Sequence, residues 1–285
     1  MNSPLMLCNR ARTFRQSDAG DEGAFMGLSL LDLTGRHALV TGGGTGLGRQ
    51  MSLGLAEAGA RVSVVGRTQR TLDESVALIT EAGGQAAAFA CDITDEQAVT
   101  RLPDRTGPVD ILVNNSGTII FDQPWQDTPM ERWREVLSLN LDAVFRMCQL
   151  YVPGMQQRAW GRVINIASIY ASRTGRPENY PGIPWDGASY VTSKHGLIGF
   201  TRHLATQVGR SGVTVNALSP GMFPDTGINE GMLEADILER LSAGSAVGRI
   251  GGSEDLKAAI VFLASPGAAF VTGHDLVVDG GWLCW

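Results

Sequence analysis

The chain has 285 residues, 44% hydrophobic and 18% charged, the composition of a globular protein that buries one sizeable core without a metal or disulfide staple. Its formal net charge of −6, with a pI near 5.3, argues against nucleic acid or an anionic membrane surface as partner, because both are bound through net positive charge. Any anionic ligand must then be held by a local site. Cys8, Cys91, Cys148 and Cys284 lack CxxC or Cys/His ligand spacing, so they read as thiols in a reducing, cytoplasmic compartment, with neither disulfide nor metal expected. No apolar run reaches the length of a membrane span.

Residues 1–25 read unlike the rest. They carry Arg10, Arg12 and Arg15 before the first acid, Asp18, and are expected to be a disordered tail rather than a transit peptide. The folded domain is expected over 26–285. Short apolar runs lie at 37–41, 61–65, 86–91, 109–113, 162–167, 213–218 and 275–278, mostly continuous, as in parallel strands covered on both faces. Between them lie helix-like stretches at 47–58, 72–82, 130–157, 189–209 and 254–264. This alternation predicts one α/β domain of Rossmann type, a doubly wound, parallel seven-stranded sheet with helices on both faces. Ligands of such sheets sit beyond the carboxyl ends of the strands, so the informative residues should follow the apolar runs.

After the first run comes Thr41-Gly42-Gly43-Gly44-Thr45-Gly46-Leu47-Gly48. Glycines let a backbone turn sharply and approach a pyrophosphate, and the helix that follows offers free N–H groups and a positive dipole. The TGxxxGxG spacing resembles that of the short-chain dehydrogenase/reductase family, which implies cofactor contacts from Gly42, Thr45, Gly46 and Leu47. The second run ends at Val65-Gly66-Arg67, without the acid that takes a ribose 2′-hydroxyl in NAD-binding folds. Arg67 can instead meet a 2′-phosphate, so NADP(H) is favoured over NAD(H), although Thr45 leaves the basic position inside the turn neutral. The resemblance further implies that Asp92 accepts from the adenine amino group beside Ile93, with a helix cap as the alternative for Asp92. Asn114-Asn115-Ser116-Gly117 resembles the family's NNAG, which steadies the sheet and lines the adenosine side.

The strongest pattern is Tyr190-Val191-Thr192-Ser193-Lys194 on a predicted helix, with Ser168 ending the preceding strand. Residues four apart share a helix face. A phenol is a poor base at neutral pH, and a neighbouring ammonium, with the positive nicotinamide of an oxidised cofactor, is expected to lower its pKa. Tyr190 could then exchange a proton with a carbonyl or alcohol oxygen, while Ser168 orients that oxygen. The resemblance implies that Lys194 also holds the nicotinamide ribose, and that Asn140 bends its helix and binds a water feeding protons to the lysine. Asn140, Ser168, Tyr190 and Lys194 in this order identify the chain as a member of that family.

The resemblance implies that the backbone after Pro220-Gly221, as far as Phe223, meets the nicotinamide carboxamide. Asp225 stands where many members have Thr, and Thr226 follows. Gly221-Met222-Phe223-Pro224, Gly248-Arg249-Ile250-Gly251 and Val277-Val278-Asp279-Gly280-Gly281-Trp282 resemble the branch of gluconate 5-dehydrogenases and related sugar or polyol dehydrogenases. Ser168 and Tyr190 stand 22 positions apart, so residues 170–187 must overhang the site. That stretch holds Arg173, Arg176, Asn179, Tyr180 and Trp185, and either Arg could read a substrate carboxylate or be a solvated charge. Residues 222–246, with a helix-like piece at 231–241, could form a lid or a subunit contact. Stretches 130–157 and 189–209 imply, by resemblance, a homotetramer or a homodimer.

The expected function is hydride transfer between NADP(H) and a small secondary alcohol or ketone, such as a sugar acid or polyol. Reduction of 3-oxoacyl compounds, cyclic ketones or steroids is the alternative. A non-catalytic dinucleotide-binding regulator would not need the Ser, Tyr and Lys set, nor would a methyltransferase.

Overall fold

Seven parallel strands pair side by side in the order β3-β2-β1-β4-β5-β6-β7. They are β1 (His37–Thr41), β2 (Arg61–Gly66), β3 (Gln85–Ala90), β4 (Ile111–Asn114), β5 (Gly161–Ile166), β6 (Val213–Pro220) and β7 (Asp275–Val278). The computed structural model describes residues 29–120, 124–175, 187–223 and 235–285. The first 28 residues, including the expected tail and Cys8, lie outside them.

Central strands β1, β4, β5 and β6 are buried along their whole length, whereas edge strands β3 and β7 alternate or are half-covered. That gradient explains why the inner strands are continuous apolar runs: both of their faces meet helices. Successive side chains point to opposite faces. Leu39, Leu112, Val163 and Val215 therefore pack on one face with Met147, Tyr151, Leu197 and Val208. Val40, Val113, Ile164 and Leu218 pack on the other with Met51, Leu55, Ile260 and Leu263.

The helices are α1 (Gly46–Glu57), α2 (Gln69–Glu81), α3 (Glu96–Thr100), α4 (Leu102–Thr106), α5 (Met130–Leu137), α6 (Ala143–Gln157), α7 (Ala188–Val208), α8 (Ala235–Ala243) and α9 (Lys257–Ala264). Two departures from the sequence pattern matter. Short α3 and α4 fill the crossover from β3 to β4, where five-residue helices carry too few turns to leave a periodicity. The single helix expected over 130–157 is broken by a π-helical turn at Ser138–Asp142, which divides it into α5 and α6. Both stretches are apolar at helical spacing, so the extra residue per turn is invisible in the pattern.

Sheet order reverses between β1 and β4, because the chain winds outward first on one side and then on the other. The loops leaving those two strands diverge and leave a crevice, the place where such folds bind ligands.

Close packing at this crevice leaves one glycine no substitute. A Cβ on Gly48 would lie 2.1 Å from the carbonyl oxygen of Gly42 and 2.5 Å from Asn115 Nδ2. Gly48→Ala is expected to cost about 3 kcal/mol of stability, read as a lowered denaturation midpoint.

Candidate active site

The loops after β1 to β6 enclose a cleft of about 1150 Å³. Its wall begins at the glycine turn. Thr41 Oγ1 accepts from the backbone N–H groups of Asn115 and Ser116, both at 3.0 Å, and Asn115 Nδ2 donates to the carbonyl of Thr41 at 2.9 Å. These bonds fasten the loop after β1 to the loop after β4. Gly42, Gly44, Thr45, Leu47 and Gly48 face the cleft, and Gly46 opens α1 with φ +49°. A Cβ on Gly42 would fall 2.8 Å from Asn115 Nδ2, and one on Gly44 would fall 2.7 Å from Thr71 Oγ1. The bare backbone at the start of α1 is thus the shape and polarity that a pyrophosphate fits.

Arg67 and Thr68 after β2, and Cys91 to Thr94 after β3, form the same end of the cleft. Asp92 does not cap a helix; Asp95 caps α3 by accepting from Gln97 and Ala98. Asp92 Oδ1 accepts from the backbone N–H and the hydroxyl of Thr94 at 2.9 and 2.7 Å. The Thr94 hydroxyl is the main influence holding the Asp92 carboxyl below its ordinary value, with the charge of Arg67 a smaller one. Ile93 lines the cleft beside it. Asn114 does not: its amide donates to Asn165 Oδ1 at 2.8 Å inside the sheet, and Asn115, Ser116 and Gly117 face the cleft instead. The Asn114 side chain, expected on the adenosine side, is instead paired with Asn165 of the neighbouring strand and buried on one face of the sheet.

At the other end, β5 and α7 bring three groups together. Ser168 ends the turn out of β5, where its hydroxyl accepts from the Tyr170 backbone N–H at 3.1 Å, and it lies near enough to Tyr190 on α7 to favour the phenolate. Lys194, one turn on, is buried with its ammonium donating to the carbonyl of Ile166 at 2.8 Å and lying 5.5 Å from the Tyr190 ring centre. Asn140, fully buried in the π-helical turn, accepts from Thr118 N–H at 2.8 Å. Its amide donates to Thr118 O at 2.9 Å and Ser193 Oγ at 3.1 Å. Gly117 lies between them: a Cβ there would be in ordinary contact with Asn140 Oδ1 at 3.4 Å and the Lys194 ammonium at 3.5 Å. Asn140 is behind the cleft wall rather than on it.

The expected acidification of the phenol is not what the side chains alone produce. Burial pushes Tyr190 above the ordinary tyrosine value, and only the nearby Ser168 hydroxyl pulls it back. The same burial pushes Lys194 down to about 8. Removing water disfavours both charged forms, and that cost exceeds their mutual help.

Pro220 at the end of β6, with Gly221, Met222 and Phe223 after it and Leu241 of α8, completes the wall. A Cβ on Gly221 would lie 2.6 Å from the Asp279 backbone, so the β6 exit is pressed onto the end of β7. One residue escaped the sequence reading. Arg49 on α1 donates to Gly44 O at 2.5 Å, Ser75 Oγ at 2.9 Å and Glu74 at 3.0 Å, tying the glycine turn to α2. Its position one residue beyond the TGxxxGxG motif was the only available hint. Arg173 donates to the backbone carbonyls of Leu283 and Trp285 at 3.1 and 2.7 Å, rather than facing the cleft. Arg176, Asn179, Tyr180, Trp185, Asp225 and Thr226 lie outside the described residues, as does the first part of the proposed lid.

A glycine-turn cleft beside a Ser, Tyr and Lys cluster defines a dinucleotide-dependent oxidoreductase. Residues 42–283 match the family model described as Enoyl-(Acyl carrier protein) reductase. The chain is 36% identical to 2-dehydro-3-deoxy-D-gluconate 5-dehydrogenase of Bacillus subtilis, over 88% of this chain and 96% of that protein. It is 34% identical to the 3-oxoacyl-[acyl-carrier-protein] reductase FabG of Vibrio harveyi, over 88% of this chain and 98% of that one. Among solved structures, a gluconate 5-dehydrogenase from Burkholderia cenocepacia, in complex with NADP and tartrate, superposes with a TM-score of 0.81 at 31% identity. That match covers 90% of this chain and 99% of the other. The chain belongs to the short-chain dehydrogenase/reductase family.

The desolvated ammonium has a measurable consequence. Folding lowers the pKa of Lys194, so the folded state binds fewer protons than the unfolded chain between about pH 8 and the ordinary lysine value. Stability from this residue therefore rises with pH across that window and is least below it. Lys194→Met is expected to be more stable than the natural protein at pH 7 by about 1–2 kcal/mol, with the gap narrowing above pH 8, measured by denaturant midpoints.

Proposed function

We propose that this protein is an NADP(H)-dependent oxidoreductase that moves a hydride between the nicotinamide and a secondary alcohol or ketone. The observation that carries the reading is the convergence of Ser168, Tyr190 and Lys194 at one end of a cleft whose other end is the bare glycine turn. Gly42, Thr45, Gly46 and Leu47 would hold the pyrophosphate, with Asp92 and Ile93 at the adenine and Pro220, Gly221 and Phe223 at the nicotinamide. When bound, the cofactor supplies the hydride and, in its oxidised form, a positive charge. Arg67, on the adenosine side without a carboxylate at the end of β2, supports NADP(H) over NAD(H). The B. cenocepacia structure with bound NADP supports the same choice.

In reduction Tyr190 gives its phenolic proton to the substrate oxygen; in oxidation it takes one. Being raised in pKa, the phenol stays protonated at neutral pH and is ready as an acid. Ser168 donates to the same oxygen as negative charge develops there. Lys194, carrying its proton below about pH 8, stabilises the phenolate left behind. Asn140 holds Thr118 and Ser193, and so the π-helical turn, against the lysine.

Relatives named for gluconate support a sugar acid or polyol as substrate; relatives named for 3-oxoacyl compounds, together with an apolar cleft wall, support a less polar ketone. The enzyme is read as cytoplasmic and homotetrameric, or homodimeric, through α5, α6 and α7. Phe145 of α6, about half exposed, stacks edge-to-face on Phe200 of α7 with ring centres 5.7 Å apart, an apolar surface suited to a subunit contact.

Two variants test the assignment. Tyr190→Phe should lower kcat by about 100- to 10,000-fold while NADPH binding, followed by fluorescence, is kept; retained turnover would remove Tyr190 from the chemistry. Arg67→Ala should weaken NADPH selectively, by about 1.5–3 kcal/mol, and an equal loss for NADH would refute the 2′-phosphate contact.

A further inference from the structure

Thr45 leaves the glycine turn without a basic side chain, so what the turn offers a phosphate comes from its backbone. The direction of that backbone is set from outside the cleft wall, by Arg49 in the first turn of α1. Its Nη2 donates to the carbonyl of Gly44 at 2.5 Å. A trans peptide is planar, with its C=O and N–H pointing opposite ways. Holding the Gly44 oxygen on Arg49 therefore turns the Thr45 N–H, in the same peptide, away from Arg49. Thr45 is exposed and lines the cleft, and among the described residues nothing accepts from its N–H.

The same guanidinium fixes the neighbouring wall. Nη2 also donates to Thr71 O at 3.3 Å and Glu74 at 3.0 Å, and Nε donates to Ser75 Oγ at 2.9 Å. Those acceptors lie in the first two turns of α2, which starts just beyond Arg67 and Thr68. Gly44 is pressed on that helix, since a Cβ there would fall 2.7 Å from Thr71 Oγ1. Gly43 N–H donates to the carbonyl of Val65 at 3.3 Å, which sets the turn beside the strand end that leads to Arg67. Glu74 is shared by Arg49 and Arg70, so its charge is compensated where α2 begins. One side chain thus governs both the aim of the Thr45 N–H and the spacing between the turn and the Arg67 segment.

We propose that Arg49 is a positioning residue for the 2′-phosphate of NADP(H): without touching the cofactor, it brings the Thr45 N–H and the Arg67 guanidinium onto one phosphate. Charge-assisted hydrogen bonds to phosphate are short and directional, so a small loss of aim is costly. This rests on the NADP(H) reading above and refines it, moving Thr45 from the pyrophosphate, which Gly46 and Leu47 keep, to the ribose phosphate. A 5′-phosphate alone does not meet this pair of donors.

The test is calorimetric, on the whole chain, with adenosine 2′,5′-bisphosphate and adenosine 5′-monophosphate, which differ only in the 2′-phosphate. The natural protein is expected to bind the bisphosphate about 30-fold more tightly. Arg49→Met should lower that ratio about 10-fold, while binding of the monophosphate stays within about 2-fold. Arg49→Lys keeps a cation that reaches Gly44 or α2 but not both, and should lower the ratio about 3-fold; it is the deciding variant if Arg49→Met fails to fold. An unchanged ratio in Arg49→Lys, or an equal loss for the two ligands in either variant, makes Arg49 a merely structural link and overturns the inference. If the natural protein binds the two ligands equally, the NADP(H) reading falls and this inference with it.

Discussion

A single ammonium group, held out of water at the exit of β5, is the constraint on which the site depends. Lys194 has the Ile166 carbonyl as its hydrogen-bond acceptor and the Tyr190 ring beside it, and its burial pushes its pKa to about 8. A cation in that position is unfavourable for folding and useful for chemistry. It gains most when negative charge forms on the neighbouring phenol, so the surroundings favour a charge distribution that exists only during reaction.

Much of the neighbouring structure keeps that group in place. Asn140 needs a helix that widens locally, so that its amide can reach Thr118 and Ser193 together; the π-helical turn at Ser138–Asp142 provides the room. Gly117 packs beside both groups, where a Cβ would make only ordinary contact with Asn140 and Lys194. Below this layer, Asn114, Asn165 and Thr201 link β4, β5 and α7 through buried hydrogen bonds, fixing the height of the helix that carries Tyr190. The glycine turn is clamped in parallel, by Thr41 and Asn115 on one flank and Arg49 on the other. The two ends of the cleft are thus separately rigid and share the sheet as their common base.

The electrostatic contrast between those ends follows from the same topology. Strands that leave the centre in opposite directions deliver different loops, one set carrying the glycine turn and Arg67, the other Ser168 and the side chains of Ile119, Ile120 and Ile169. The glycine turn and the Ser, Tyr and Lys cluster thus open onto one cleft from opposite sides of the same row of strand ends.

The sequence by itself determined the sheet, the glycine turn and the Ser, Tyr and Lys set. Those features are local: continuous apolar runs mark buried strands, glycines mark a close turn, and a spacing of four places Tyr190 and Lys194 on one helix face. Tertiary structure alone decided the rest. It paired the Asn114 side chain with Asn165 and brought Asn115 to the cleft, recruited Arg49 as a clamp, and diverted Arg173 to the backbone of Leu283 and Trp285. It also set the burial that pushes the Tyr190 pKa up before any cofactor charge acts on it, because desolvation depends on how many atoms from distant segments surround a group. No pattern along the chain counts those atoms, so only the folded arrangement could settle their balance.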